Sequence, residues 1–203
     1  MSVGDDDASS TDPAMFATVS SRTGQVLSTV ALPGHAEGFD FVPGTDLIIA
    51  NIPDADSLVV VVDRHNSSIA ASFKLPQGSA DNVPMALDAR RRHIMVGCHS
   101  PPSLLVLDFE GAQVFSGPAP VDLDDMWFDA SAELLFMSGG GAHLDGSVAV
   151  YATPGAGGEN YTYLGAATPG GKNSMVDFRT RRLYVTVPAA TPADAAFIQV
   201  YSY

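Results

Sequence analysis

An all-β protein, a β-propeller of four-stranded antiparallel blades, is predicted by three features of this 203-residue sequence. Short apolar strands separated by Gly, Pro, Asn and Asp recur along the chain, and 19 Gly and 14 Pro suit many tight connections. Phe39, Met85, Met126 and Met175 open successive units at intervals of 46, 41 and 49 residues, and a second column, Ile48, Ile94, Leu135 and Tyr184, keeps the same intervals. Two columns with one spacing need only insertions outside both, and about 40 to 50 residues is the length of a propeller blade. Finally, the run Leu58-Val-Val-Val-Val62 is apolar at every position, as a strand covered by a sheet on each side must be.

Residues 1–13 are acidic, small and without periodicity, and are expected to form a disordered tail. They lack the ligand spacing of an EF-hand loop and the basic and apolar regions of a signal peptide. The β-propeller domain is expected over 14–203. It opens with a hairpin over 14–32, turning at Ser21-Arg22-Thr23-Gly24. The first unit, about 33–76, has strands Phe39–Val42, Leu47–Ile52, Leu58–Asp63 and Ile69–Leu75, broken by Pro43-Gly44 and Asn66-Ser67-Ser68. In the second, about 77–118, the stretch from Pro84 to Asp108 supplies three strands and Ala112–Gly117 the last. The third, about 119–168, has Met126–Ala130, Leu134–Ser138, Ser147–Ala152 and Tyr161–Ala167; the fourth, about 169–203, has Met175–Phe178, Arg182–Pro188 and Ala196–Tyr203.

That makes seventeen strands, whereas a ring closed by one chain needs a multiple of four. The expectation is therefore about four blades forming a partial ring, a ring completed by association, or a truncated fragment of a larger propeller. An arc leaves the apolar faces of its terminal blades uncovered, which favours a homo-oligomer joined through those exposed blade ends.

The net charge of −13, with only 10 Lys and Arg, argues against nucleic acid and anionic lipid as partners. No apolar run reaches the roughly 18 residues of a membrane span, so no membrane insertion is expected. Arg90-Arg91-Arg92 reads as a polar hairpin. Cys98 reads as a structural thiol, because His99 beside it on an extended strand points to the opposite face.

The segments Arg182-Leu-Tyr-Val-Thr-Val-Pro188, Asp46-Leu-Ile-Ile-Ala-Asn-Ile-Pro53 and His93-Ile-Met-Val-Gly-Cys98 resemble the YVTN-repeat β-propeller family, and the runs ending at Asp63, Asp108 and Tyr151 match its third strand. The resemblance covers about residues 14–203. It implies a bacterial, extracytoplasmic propeller of about seven blades, of which this chain would be a truncated fragment. Because most of that family has no assigned chemistry, it also implies a non-enzymatic binding or scaffold module rather than an enzyme.

In an up-and-down blade the loops entering the first strand and those joining the second to the third share one face around the axis. A protein or small-molecule partner is expected there. These loops carry His35, Glu37, Asp54, Asp56, Asp81, Asn82, His99, Asp124, Asp125, His143, Asp145, Lys172 and Asn173. The candidate ligand-binding residues are His35, Glu37, Asn82, His99, Asp125 and Asn173, and no cofactor and no catalytic residue is expected. Three metal-based alternatives exist. Glu37, Asn82, Asp125 and Asn173 precede successive first strands and would offer oxygen ligands to a divalent cation such as Ca²⁺. Glu37-Gly38 and Asn82 are also similar to gluconolactonase-like lactonases, which use a divalent ion as a Lewis acid, so a metal-dependent lactonase-like hydrolase is the alternative function. His35, His99 and His143 would need convergence in space to hold a transition metal. Trp127 is expected in the core near the axis.

Overall fold

A computed structural model describes residues 2–3, 14–53, 58–140, 146–155, 160–189, 191 and 193–203. Among the described residues eighteen strands form five antiparallel meanders. The first sheet holds β1 (Ser2–Val3), β2 (Met15–Val19) and β3 (Val26–Ala31). The second holds β4 (Phe39–Phe41), β5 (Leu47–Ile52), β6 (Leu58–Asp63) and β7 (Ser68–Lys74). The third holds β8 (Ala80–Asp88), β9 (His93–Ser100), β10 (Pro102–Asp108) and β11 (Gln113–Pro118). The fourth holds β12 (Leu123–Asp129), β13 (Leu134–Gly139), β14 (Ser147–Ala152) and β15 (Thr162–Ala167). The fifth holds β16 (Ser174–Asp177), β17 (Arg182–Val187) and β18 (Phe197–Ser202). Among the described residues no helix is long and apolar enough to cross a membrane.

The sheets stack face to face, and strand pleating explains the doubly apolar runs. In β6, Val60 and Val62 pack toward the first sheet while Val59 and Val61 pack toward the third. In β10, Leu105 and Leu107 join the core shared with the second sheet, and Leu104 and Val106 the core shared with the fourth. Phe136 and Val148 turn the other way, against Val176, Leu183 and Val185 of the fifth sheet. Side chains alternate at every residue of a strand, so a strand with two neighbouring sheets has no polar face. This is the layout of propeller blades. The first strands β4, β8, β12 and β16 end their sheets and lie next to one another, which makes them the axial strands.

Three sequence expectations are corrected. The fourth unit is displaced by one residue: Val176 pairs with Leu183, as Phe41 does with Ile48, Leu87 with Ile94 and Phe128 with Leu135. Ser174 and Leu183, not Met175 and Tyr184, therefore continue the two columns. A one-residue slip exchanges the faces of a strand, and accordingly Leu183 is buried while Met175 is 62% exposed. Within the segment read as a tail, Ser2–Val3 pairs with Met15 and Phe16. Lastly, β8 and β12 start earlier than expected because register shifts between Asn82 and Met85 and between Leu123 and Asp125 let the chain continue pairing past the irregularity.

A repeated aspartate closes the hairpins. Asp63, Asp108, Asp129 and Asp177 each accept two backbone N–H bonds from the turn that follows, at 2.8 to 3.2 Å. The turn amides left unpaired by the reversing chain are thus satisfied by an Asx-type contact. These carboxylates belong to the scaffold.

Candidate binding cleft

Next to the axial strands lies a cleft of about 490 Å³, walled by 37–40, by 84–87, by 124–128 and by Phe178. Its walls run along consecutive residues because β4, β8 and β12 are sheet ends, with one edge turned from their own sheets. Asp40 and Trp127 occupy the same repeat position, one residue after Phe39 and Met126. Trp127 is half-buried and donates its indole N–H to the Ser174 carbonyl at 3.2 Å, which fixes the ring between the fourth and fifth sheets.

Two carboxylates in this wall are perturbed. The surrounding cleft wall desolvates Asp40 enough to push it above the usual carboxylate range, although its side chain stays open to solvent, against the backbone N–H of Phe41, which its Oδ1 accepts at 2.7 Å. Among the described residues Asp40 has no ion pair. Burial likewise pushes Asp125 up, opposed by the Ser174 backbone N–H at 2.7 Å, with the neighbouring Asp124 adding to the rise. Asp40 is exposed to solvent on β4 while Asp125 is half-buried, so the low hydration that strengthens a carboxylate's attraction for a cation belongs to Asp125, and Asp40 offers an accessible charge. Lys172 pairs with Asp124 of the wall at 3.0 Å and with Asp122 at 3.3 Å, and those contacts raise its own affinity for its proton.

The six residues singled out from sequence separate into smaller groups. His35 and Glu37 form a pair at 3.4 Å, and Glu37 borders the cleft. Asp125 borders the same cleft and is hydrogen-bonded by the Asn173 side chain. Asn82, expected in a loop, is fully buried within β8. His99, also expected in a loop, lies in β9 with Nε2 2.7 Å from the Leu123 carbonyl, where it links the third and fourth sheets. The expected loop over 99–103 is reduced to Pro101, because β9 extends through Ser100 and β10 starts at Pro102. Asp54, Asp56, His143 and Asp145 lie outside the described residues. Among the described residues no group of three His, Cys, Asp or Glu is arranged to hold a metal ion.

Cys98 is fully buried on the side facing the second sheet, opposite His99, and burial pushes its thiol up to about 11. A thiol kept protonated in this way is a poor nucleophile. Asn51, also fully buried, donates through Nδ2 to the carbonyls of Val83 and Pro84 at 3.4 and 3.2 Å, so it fastens the second sheet to the third. Asp40, Phe39 and Phe128 were not among the sequence candidates. The available signal was a charge in Phe39-Asp40-Phe41, inside a short strand rather than in a loop.

No protein-family model matches the sequence, and no curated protein does. A solved structure of Kuenenia stuttgartiensis hydrazine synthase superposes on 94% of this chain with a TM-score of 0.76 at 14% identity. The likeness is one of fold. At that identity it supports the propeller architecture and carries no site residue across. This chain spans 56% of the length of that one.

Proposed function

We propose that this chain is a non-enzymatic β-propeller binding module of the YVTN-repeat kind whose ligand seat is the axial cleft. The observation that carries the reading is the cleft itself: its volume lies within the roughly 300–1,000 Å³ of small-molecule sites, and it combines aromatic walls with a few placed polar groups. Catalysis has no comparable support. His99 is engaged with a backbone carbonyl, and Cys98 is buried on the other face. A metal-dependent lactonase-like reaction calls for Glu37, Asn82 and Asp125 together around one ion, and no observation favours it over simple binding.

Trp127 is the chain's only tryptophan, so its indole N–H gives one isolated NMR resonance inside the proposed seat. A panel of small anionic, neutral and cationic compounds is expected to move that resonance saturably for at least one class. Ligands that bind tightly while leaving it in place would move the seat elsewhere.

The same reading includes self-association through a second copy. Every interior sheet face is covered by the next sheet, but Met175, Ile198 and Val200 of the fifth sheet are exposed by 62, 60 and 52%. A second copy presenting one of its own sheet faces continues the stacking that joins the five sheets within the chain. Sedimentation velocity is expected to show a discrete oligomer, and a monomer at all accessible concentrations contradicts this part of the reading.

A further inference from the structure

We infer that the axial cleft takes a small alkylammonium ion, an inference that rests on the reading of the cleft as a ligand seat and adds the chemistry of its occupant. Asp40 and Asp125 stand in the cleft wall together with Trp127, Phe128 and Phe178, while the Phe39 ring packs edge-on against Phe16 and Phe41. Each class of ligand can be weighed against that lining. An anion meets carboxylates without a compensating arginine or lysine, because the nearby Lys172 is already shared between Asp122 and Asp124. A neutral apolar ligand is compatible with the rings but leaves Asp40 without an ion-pair partner. A small inorganic cation gains nothing from aromatic walls, and no three-residue ligand group is present among the described residues.

An organic ammonium ion uses both halves of the lining. Its positive charge compensates Asp40, whose carboxylate has only the Phe41 N–H as a described hydrogen-bond donor. Its methyl or methylene groups, which carry part of the charge, rest on aromatic faces, where the ring quadrupole attracts cations within about 6 Å of the centroid. The net charge of −13 adds a long-range field that draws cations toward the molecule. The cleft volume selects a small molecule over a folded partner.

The test is a titration of the folded chain with three compounds of one shape, followed by Trp127 fluorescence: choline, the uncharged 3,3-dimethylbutan-1-ol, and the anion 3,3-dimethylbutanoate. A saturable change is expected with choline. Affinity for the alcohol is expected to be at least about tenfold lower, a difference of one charge contact, and the carboxylate is expected to be silent. Asp40→Asn keeps an oxygen for the Phe41 N–H while removing the charge, and is expected to weaken choline about tenfold. Its urea midpoint, read in parallel, verifies that the variant is folded. Equal response to choline and to the alcohol overturns the ammonium inference while leaving the cleft as the ligand seat. Undiminished choline binding in Asp40→Asn also overturns it. Silence of all three compounds overturns it as well, and the wider NMR panel then judges the cleft reading independently.

Discussion

Gly97 lies in β9 where that strand crosses the fourth sheet, and replacing it with alanine tests the packing that frames the cleft. An added methyl would overlap Leu123 Cδ2 and lie 2.9 Å from Pro84 Cγ and 3.2 Å from Met126 Cε. Carbon atoms prefer separations of about 3.5–4.0 Å. Leu123 is fully buried and has no route to solvent, while the Pro84 ring is rigid. Overpacking a tight core by a methyl costs about 1–3 kcal/mol. Restricting the unfolded chain through Gly→Ala returns about 0.4–1 kcal/mol. The net expectation is a loss of about 1–2 kcal/mol, seen as a lower urea midpoint with an unchanged slope. Leu123→Ala alone should cost about 2–5 kcal/mol by opening a cavity, but that cavity is where the new methyl goes. The double variant should therefore be more stable than the sum of the single changes, by about 0.5–3 kcal/mol of coupling. A neutral Gly97→Ala, or strict additivity with Leu123→Ala, refutes the close approach of β9 to β12.

Other variants and reagents examine the scaffold and the cleft separately. Asp129 is buried and accepts bonds from the Ser131 and Tyr203 hydroxyls and from the Ser131 and Ala132 backbone N–H groups; burial pushes its carboxyl up, but those donors prevail and hold it below the usual range. A carboxyl depressed on folding contributes stability that is complete above its unfolded value and lost as pH falls through the folded one. Asp129→Ala is expected to cost about 2–3 kcal/mol at neutral pH, from charge-assisted bonds removed, and to flatten the fall of urea stability below the ordinary aspartate value of 3.8. Asp40 has the opposite sign: its carboxyl is raised on folding, so ionising it opposes folding, and Asp40→Asn should raise Tm slightly at neutral pH and leave it unchanged at acid pH, where the wild-type carboxyl is itself neutral. Cys98 should react with a thiol reagent such as Ellman's only at the rate of unfolding, and rapid stoichiometric labelling of the native chain contradicts its burial.

The fold was readable because its determinants are repetitive. Val59–Val62 and Leu104–Leu107 have no polar alternation, and only a strand between two sheets tolerates that pattern. The columns through Phe39, Met85 and Met126 fell within the axial strands for the same reason. The column failed at the fourth unit, where Met175 looked equivalent by hydrophobicity although the Val176–Leu183 pairing sets the register. The candidate site is less legible because its lining comes from strand edges as well as loops. Counted from the corrected column, Glu37 stands two residues before, Asn82 three, and Asp125 and Asn173 one. With side chains alternating and bulges adding a residue, such offsets send neighbours in sequence to different faces. Asp125 and Asn173, which share an offset, are the two that meet. A single charge between two phenylalanines, as at Asp40, reads as the solvent face of an edge strand, and only the packing of three sheets makes that face part of a cleft wall.

The most direct test of the account is the ¹H–¹⁵N spectrum of the chain during titration with the compound panel, read at the Trp127 indole. A saturable shift of that resonance, shared by the backbone amides of 37–40, 84–87 and 124–128 and absent from the outer strands β7, β11 and β15, is the predicted result. Saturable shifts confined to the outer strands, with Trp127 unmoved, would contradict the axial cleft as the seat of function.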